Sequence, residues 1–445
     1  MEFRRHGLAV RASAWLFAGI TSMLALTASA QDEQYYISNN GKAVTVSEPF
    51  NASAQLRLGT HVAAGNGRVL SVGGNSVYVF GQNTAGEWTQ TAKLSAYDSG
   101  VLTGPIAFDG TYALVRGYTP ARAAVVYSYI HEAGRWRALG VLKGTKGFGR
   151  AIGLDGCTAM ISSNTEDGAA ELPTGERGYV HYFDRCRTGT WTWINSIPAP
   201  VDNTARFGAS LALSGADLLI GAPYETGVGR VYYYTRSGDT WQLKQTIVPN
   251  VVSDNTYNAP HTQSAFGSTI AINNGLALIR MAKEYANWQQ SLAREGVVLE
   301  FTLTNGLWTQ VGQLEPAENV ESMNGRDLFG ARIAMTPTWV FIAAPGDFGL
   351  RYVSYNERLT GSVYAYRRNG NQLQLVEKMT GGTFVRPDPP FDDTIQLVGG
   401  QMGSHFGQSV AVLGNQLVVG WPLKSPADAP PLETGGTTVF QLPSP

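Results

Sequence analysis

Carboxylates are the side chains best suited to chemistry in this chain. Asp388, Asp392 and Asp393 form the nearest approach to a cluster, in a segment rich in proline and glycine. Paired carboxylates supply the acid and the base in polysaccharide cleavage. One hypothesis for this sequence is therefore a polysaccharide-acting hydrolase or lyase that uses such loop carboxylates. Further members of this group are Asp254, Asp327 and Asp347.

Recognisable catalytic motifs are absent from the sequence. It contains no His-Glu-x-x-His segment, no Gly-x-Ser-x-Gly segment and no glycine-rich phosphate loop before a helix. No Cys/His cluster has zinc spacing, and the histidines are isolated from one another. We therefore predict no catalytic residue, no metal and no cofactor. After residue 30 the histidines are His61, His131, His181, His261 and His405.

A second hypothesis is a binding surface, because several aromatic and charged side chains lie in the same long segments. Aromatic and arginine side chains are the strongest anchors of protein interfaces. The competing interpretation is local packing within the loops. The predicted binding residues are Tyr224, Tyr257, His261, Trp288, Arg326, Asp347, Tyr352, Tyr355, Asp392, His405 and Trp421.

Charge and the N-terminal segment limit the class of partner. The formal net charge of the 445 residues is −1, without basic runs, which excludes an electrostatic footprint for nucleic acid. Arg4 and Arg5 precede an apolar run at 14–26, and Ala28-Ser29-Ala30 fits a cleavage site. We predict a signal peptide over residues 1–30 and a single domain over 31–445. Export to the periplasm or the extracellular medium, without a membrane anchor, follows from this prediction.

A repeated element must position these side chains. Phe-Gly, or a variant of it, opens seven modules along the chain. In the fourth module, strand-like segments alternate with turns, and a tryptophan recurs where the fourth strand begins. Short β-branched and aromatic runs between Gly, Asn and Asp turns indicate antiparallel sheet. The module starts are Leu58-Gly59, Leu102 to Gly104, Phe148-Gly149, Phe207-Gly208, Phe266-Gly267, Phe329-Gly330 and Phe406-Gly407.

Seven modules of four strands predict an all-β fold, a seven-bladed β-propeller of four-stranded antiparallel blades. Neighbouring blades must cover each other's faces, so one fold spans the chain. The Phe is expected to wedge between sheets, and the Gly to allow close backbone approach. Residues 285–294 could form a short loop helix.

The repeat resembles the FG-GAP family, on Phe207-Gly208 followed by Ile220-Gly221-Ala222-Pro223, and on Phe329-Gly330 followed by Ile342-Ala343-Ala344-Pro345. That family builds the seven-bladed head of integrin alpha chains and many bacterial exported proteins. Its calcium sites use an extended Asp-x-Asp-x-Asp-Gly loop between the first two strands. Tight turns such as Asp155-Gly156 cannot supply six to eight oxygens, so the resemblance implies the fold without the metal.

Two further expectations concern ring closure and a disulfide. The last module ends after its third strand, and residues 42–47 could supply the missing outer strand; residues 35–38 also look like a strand with no clear partner. Cys157 begins a second strand and Cys186 follows the third strand of the same module. Antiparallel pairing brings these positions together, so we predict a disulfide.

Loop length separates the two ends of the predicted propeller. Connections between strands one and two, and between strands three and four, are short. The long segments all join strands two and three or lead from one blade to the next. Long loops in a compact domain are usually functional or disordered. We expect an exported, non-enzymatic propeller that binds a protein or glycan through the long-loop face. A lectin is a close variant, and tolerated insertion is the competing interpretation.

Overall fold

The structure is a computed structural model. All of the regular secondary structure in the residues that it describes is β-strand. The described residues are 43–46, 56–164, 178–201, 206–226, 228–250, 264–286, 292–316, 328–347, 361–380, 383–385, 396–398, 405–422 and 435–442.

Strands fall into four positions within repeated sheets. The first strands are β2 (Val62–Gly65), β6 (Val101–Phe108), β10 (Phe148–Asp155), β14 (Leu211–Ser214), β18 (Ile270–Asn273), β22 (Arg332–Met335) and β28 (Ser409–Leu413). The second strands are β3 (Arg68–Gly73), β7 (Tyr112–Tyr118), β11 (Thr158–Ser163), β15 (Asp217–Ala222), β19 (Leu276–Ala286), β23 (Trp339–Ala344) and β29 (Gln416–Gly420). The third strands are β4 (Ser76–Gln82), β8 (Ala124–Glu132), β12 (Tyr179–Asp184), β16 (Arg230–Ser237), β20 (Leu292–Thr304), β24 (Ser362–Asn369) and β30 (Thr437–Gln441). The fourth strands are β5 (Trp88–Leu94), β9 (Arg135–Leu142), β13 (Thr192–Pro198), β17 (Thr240–Ile247), β21 (Leu307–Leu314), β25 (Gln372–Thr380) and β1 (Ala43–Val46).

These strands form seven four-stranded antiparallel sheets, numbered here as blades 1 to 7 in chain order from β2. The first strands contact one another around a closed ring, from β2 through β6, β10, β14, β18, β22 and β28 back to β2. They therefore surround the axis. The fold is a seven-bladed β-propeller, which confirms the prediction from the repeats.

The chain ends close the ring within blade 7. β1 pairs antiparallel with β30, with Ala43 opposite Phe440 and Val46 opposite Thr437. The strand predicted at 42–47 thus fills the outer position, as expected. The segment at 35–38, and the proposed cleavage site, lie outside the described residues.

The hydrophobic core is divided into clusters that lie between neighbouring blades. Phe207 packs with Val180 of blade 3 and with Ile220 of its own blade 4. Gly208 has a φ of 83°, and a Cβ built on it would lie 2.7 Å from the Cβ of Ser162 in blade 3. Phe-Gly therefore acts as predicted, with the aromatic ring between sheets and the glycine permitting close contact.

One sequence expectation was wrong. The segment 285–294 was expected to contain a short helix, but β19 continues to Ala286 and β20 begins at Leu292. The two strands pair along their whole length, from Leu276 opposite Thr302 to Ala286 opposite Leu292. No glycine or proline interrupts β19, so the backbone ladder extends beyond the usual strand length. Away from the blades, β26 (Thr383–Val385) pairs with β27 (Gln396–Val398).

A disulfide joins Cys157 to Cys186 within blade 3, as predicted, with the two Cα atoms 5.4 Å apart. Such bonds persist in oxidising compartments, so the disulfide indicates a non-cytoplasmic environment. Among the described residues, none lies in a helix that is long and apolar enough to cross a membrane.

The antiparallel order defines two faces. Connections from first to second strands and from third to fourth strands emerge on one face, which we call the short-hairpin face. Connections from second to third strands and from blade to blade emerge on the opposite face, which we call the long-loop face. On the short-hairpin face, only two residues separate Asp155 from Thr158 and Ser214 from Asp217.

Candidate functional site

A left-handed backbone conformation recurs on the long-loop face, at the same position of successive blades. The residue before each Phe-Gly pair, or before its Leu58-Gly59 variant, has a left-handed φ between 48° and 73° in six blades. Non-glycine residues adopt this conformation uncommonly, because the Cβ crowds the backbone. The repetition indicates that blade packing imposes it. These positions are Arg57, Gly147, Arg206, Ala265, Leu328 and His405.

Tyr224 is the most exposed of the predicted binding residues that the structure describes, with 38% of its surface accessible. It follows Ala222-Pro223 at the end of β15, on the long-loop face. The guanidinium carbon of Arg206 lies 4.6 Å from the centroid of its ring. This cation–π contact links one of the left-handed positions to an exposed aromatic ring.

The next residue, Glu225, has a buried side chain. The Tyr232 hydroxyl donates to it at 2.7 Å, and the Arg230 Nε lies 3.2 Å from its Oε1. Burial, then the hydrogen bond and charge of Glu225, raise the pKa of Tyr232 far above its usual range. The phenol therefore stays protonated and holds the carboxylate.

Asp347 occupies the equivalent position in blade 6 and is also buried. The Tyr364 hydroxyl donates to its Oδ2 at 3.1 Å, and the Lys378 Nζ lies 3.0 Å from the same oxygen. The N–H of Asp347 donates to Ala344, and the N–H of Gly361 donates back to Asp347. The backbone of Asp347 thus closes the loop, while its carboxylate contacts Tyr364 and Lys378.

His405 and Trp421 lie together at the long-loop edge of blade 7. His405 is half-buried in the left-handed conformation, and burial lowers the pKa of its imidazole. Trp421 is only 3% exposed, with its ring centroid 5.4 Å from that of Phe406 in an edge-to-face arrangement. The indole packs in the core beneath the face rather than presenting a surface to it.

The remaining predicted binding residues lie outside the described residues, so their contribution stays a prediction. The same holds for the carboxylates Asp254, Asp327, Asp388 and Asp393. These binding residues are Tyr257, His261, Trp288, Arg326, Tyr352, Tyr355 and Asp392.

Two basic residues lie near the start of first strands in different blades, at the long-loop end of the axis. Arg332 is the first residue of β22 in blade 6, and Arg150 directly follows Gly149 in β10 of blade 3. Blades 3 and 6 lie on nearly opposite sides of the ring. Burial, and then the charge of Arg150, lower the pKa of Arg332.

His61 and Arg116 complete this group, which we call the mouth cluster (His61, Arg116, Arg150 and Arg332). Burial, and then the charges of Arg332 and Arg116, lower the pKa of His61 to about 3. The imidazole is neutral at pH 7. A Cβ built on Gly104 would overlap its ring, so the backbone of blade 2 fixes its position. The Arg116 Nε donates to the Phe148 carbonyl at 3.3 Å.

Small and hydroxyl residues occupy the matching positions of the other blades. Ser210 donates to the Gly267 carbonyl at 2.6 Å, and Ser409 donates to the Gly59 carbonyl at 2.8 Å. Each hydroxyl thus ties a first strand to the next blade. Among the described residues, no group of three or more His, Cys, Asp or Glu could hold a metal ion.

The short-hairpin face uses its polar side chains differently. Asp109 accepts from the N–H groups of Thr111 and Tyr112 at 2.8 and 2.7 Å, which confirms the turn role expected for such residues. The guanidinium of Arg368 in blade 6 donates to the carbonyls of Asn273 and Asn274 in blade 5, both at 2.9 Å. The described polar groups here brace turns and neighbouring blades.

Sequence reasoning missed the mouth cluster and Glu225. Arg150, Arg332 and His61 each follow the repeat glycine by one or two residues, so superposing the modules would have grouped them on the first strands. Glu225 and Asp347 both follow Ala-Pro by two residues, which marks their equivalence.

Comparison with known proteins leaves the family open. No protein-family model matches the chain, and no curated protein matches it. It is similar to two solved structures, each described as a "putative 6-phosphogluconolactonase". The one from Bacteroides fragilis has 11% identity and a TM-score of 0.44, covering 72% of this chain and 84% of that chain. The one from Bacteroides uniformis has 11% identity and a TM-score of 0.47, covering 72% and 85%. The propeller assignment rests on the strand topology described above.

Proposed function

We propose that this chain is an exported, non-enzymatic propeller that binds a protein or glycan through its long-loop face. One observation carries the proposal. Described polar groups of the short-hairpin face brace turns and blades, whereas the long-loop face carries an exposed aromatic residue and a group of cations at the axis. The FG-GAP resemblance of the repeats is consistent with an adhesion or interaction role, and the disulfide supports export.

Tyr224 and Arg206 support the choice of face. An aromatic ring covered by a guanidinium offers an apolar surface, a hydroxyl and a positive charge within one contact area. Tyrosine and arginine are both enriched among the residues that dominate binding energy in protein interfaces. The loops differ in sequence from blade to blade, which favours one composite site over repeated equivalent sites.

A glycan array and a pull-down with the exported protein would identify the ligand, and variants would then map the face. We expect Tyr224→Ala to weaken binding about tenfold, as for an interface anchor worth more than 1 kcal/mol. Trp193→Ala is the matched control, because Trp193 is 56% exposed on an outer strand away from this face. Equal losses in both variants, or loss only in the control, would overturn the proposal.

The enzyme alternative has its own outcome in the same experiment. Asp347, the one described member of the candidate carboxylates, is bound by Tyr364 and Lys378. If the wild-type chain shortened a bound glycan, the protein would be a polysaccharide-acting enzyme and the binding proposal would fail.

A further inference from the structure

A second exposed aromatic ring lies on the long-loop face, at the junction of blades 1 and 2. Tyr97 belongs to the connection from β5 to β6, and 47% of its surface is accessible. In the described stretch 56–164 it is the one exposed large hydrophobic side chain. The sequence analysis did not select it, because it lies in a short connection rather than in one of the long segments.

Two buried tyrosines hold the Tyr97 ring in place. Its centroid lies 5.5 Å from that of Tyr127 and 6.5 Å from that of Tyr129, both in edge-to-face arrangements. Aromatic pairs prefer this geometry. Tyr127 and Tyr129 are third-strand residues in the core of blade 2. An exposed ring that is already ordered loses little conformational entropy when a ligand stacks on it.

Hydrogen bonds fix the loop on both sides of Tyr97. The Tyr129 hydroxyl donates to the Ser95 carbonyl at 2.8 Å. The Tyr127 hydroxyl donates to Asp98 Oδ1 at 2.7 Å. The loop is therefore anchored to the core of blade 2 by the same two tyrosines that contact the exposed ring.

Asp98, the next residue after Tyr97, presents a hydrogen-bond acceptor beside the ring. Its Oδ1 accepts from the Tyr127 hydroxyl and, at 3.0 Å, from the N–H of Gly100. Within the described part of the chain, its Oδ2 has no hydrogen-bond or ion-pair partner. The side chain is only partly buried, and a carboxylate has about four lone-pair sites. One oxygen thus fixes the side chain, and the other is left to accept from a ligand.

We propose that Tyr97 and Asp98 form a glycan-binding subsite, in which a neutral sugar ring stacks on Tyr97 and a sugar hydroxyl donates to Asp98 Oδ2. A pyranose has an apolar C–H face and hydroxyl donors at its edge, which match an aromatic ring beside a carboxylate oxygen. The charge of Asp98 disfavours an acidic sugar. The subsite deepens the proposed function and rests on it, since it requires a ligand on the long-loop face.

The surroundings of Tyr97 favour a glycan over a protein as the ligand. The buried centre of a protein interface is a patch of apolar side chains, depleted in charged residues. Tyr97 has no exposed large hydrophobic neighbour within the described stretch 56–164, and a carboxylate lies beside it. A single sugar ring needs no wider apolar patch than one aromatic face.

Isothermal titration of the whole chain with cellohexaose, xylohexaose, mannohexaose and maltohexaose tests the subsite. We expect at least one of these neutral glycans to bind, more tightly than a galacturonate hexamer. Tyr97→Ala should weaken that binding about tenfold, because the stacking surface is lost. Tyr97→Phe keeps the ring and should retain affinity within about twofold of wild type.

Asp98→Asn separates recognition from structure. The variant keeps one oxygen to accept from Tyr127 and Gly100, and it replaces the second oxygen with a donor. We expect it to fold as wild type does and to bind the glycan about five- to tenfold more weakly. Unchanged affinity in Asp98→Asn would overturn the role of the carboxylate in the subsite.

Trp193→Ala is the matched control, because it also removes an exposed aromatic ring, but from the outer strand of blade 3. Equal affinities for wild type and Tyr97→Ala, or an equal loss in Trp193→Ala, would overturn the inference. Failure of all four neutral glycans to bind would overturn it too, as would a Tyr97-dependent ligand that is a protein.

The two proposals fail separately. If the chain retains a ligand through Tyr224 while Tyr97→Ala and Asp98→Asn bind it as wild type does, the subsite fails and the proposed function stands. If a hexasaccharide binds in a Tyr97-dependent manner and is then shortened by the wild-type chain, the proposed non-enzymatic function fails and the subsite stands.

Discussion

The two faces of the ring use arginine in opposite ways. On the short-hairpin face, the equivalent residues Arg185, Arg236 and Arg368 each reach back to the preceding blade. Arg185 lies 3.5 Å from the ring centroid of Tyr112, and Arg236 donates to Thr158 at 2.6 Å. The described arginines of the short-hairpin face thus stabilise contacts between neighbouring blades. On the long-loop face, burial, and then the charge of Arg150, lower the pKa of Arg332.

The largest effect should come from the disulfide beside the short-hairpin face. Cys157→Ser with Cys186→Ser opens a loop with a sequence separation of 29 residues. The chain-entropy relation gives a loss of about 3–4 kcal/mol in the free energy of unfolding. Urea denaturation would measure it. The variant should still bind ligand under conditions in which it is fully folded. Loss of binding under those conditions would contradict the assignment of ligand binding to the long-loop face.

Arg368→Met should follow in size. The substitution leaves the carbonyls of Asn273 and Asn274 without their donor, at a cost of about 2–3 kcal/mol in unfolding free energy. Arg367→Met, an exposed neighbour, is the control and should change stability by about 0.5 kcal/mol or less. If both variants had the same stability, the bracing role of the short-hairpin arginines would be wrong.

Buried histidines should make stability depend on pH. Burial lowers the pKa of His181 from 6.5 to about 4. Since the unfolded imidazole binds its proton more tightly, stability is full above pH 6.5 and falls as the pH is lowered toward 4. For His181 alone, the loss between pH 7 and pH 5 is about 2 kcal/mol.

The hydrogen-bond partners of His181 suggest the variant that tests this pH dependence. The His181 Nδ1 and Nε2 lie 2.7 and 2.9 Å from the hydroxyls of Ser196 and Ser163. His181→Asn should therefore flatten the stability profile over this pH range relative to wild type, as measured by denaturation at each pH. Parallel profiles for the two proteins would contradict the shifted pKa.

Arg332→Met should have the smallest effect and the opposite sign. Burial, and then the charge of Arg150, disfavour the charged form of Arg332, so its removal should not destabilise the fold and should change the unfolding free energy by about 0.5 kcal/mol, toward a gain. A destabilisation as large as that of Arg368→Met would place Arg332 among the structural arginines.

Much of the fold follows from local sequence signals. Phe207-Gly208, the tight turn at Asp155-Gly156 and the strand supplied by 42–47 all depend on spacing within one module or on a missing strand, and each was predicted correctly. The segment 285–294 was not predicted correctly, because its composition allows a helix. Only its pairing within β19 and β20 selects the extended backbone.

The mouth cluster depends on contacts that the sequence does not encode locally. Arg150 and Arg332 belong to modules far apart in the chain, and closure of the ring brings them together. Ser210 and Ser409 occupy the position of Arg332 in blades 4 and 7, so the repeat itself does not require a cation there. The prediction that loop residues bind ligand needs binding experiments, because most of those residues lie outside the described part of the chain.

Binding of the ligand identified by the glycan array or the pull-down, compared between wild type, Tyr224→Ala and Trp193→Ala, tests the central claim most directly. The account predicts that Tyr224→Ala weakens binding about tenfold and that Trp193→Ala leaves it unchanged. Loss of binding in Trp193→Ala with full binding by Tyr224→Ala would contradict the account.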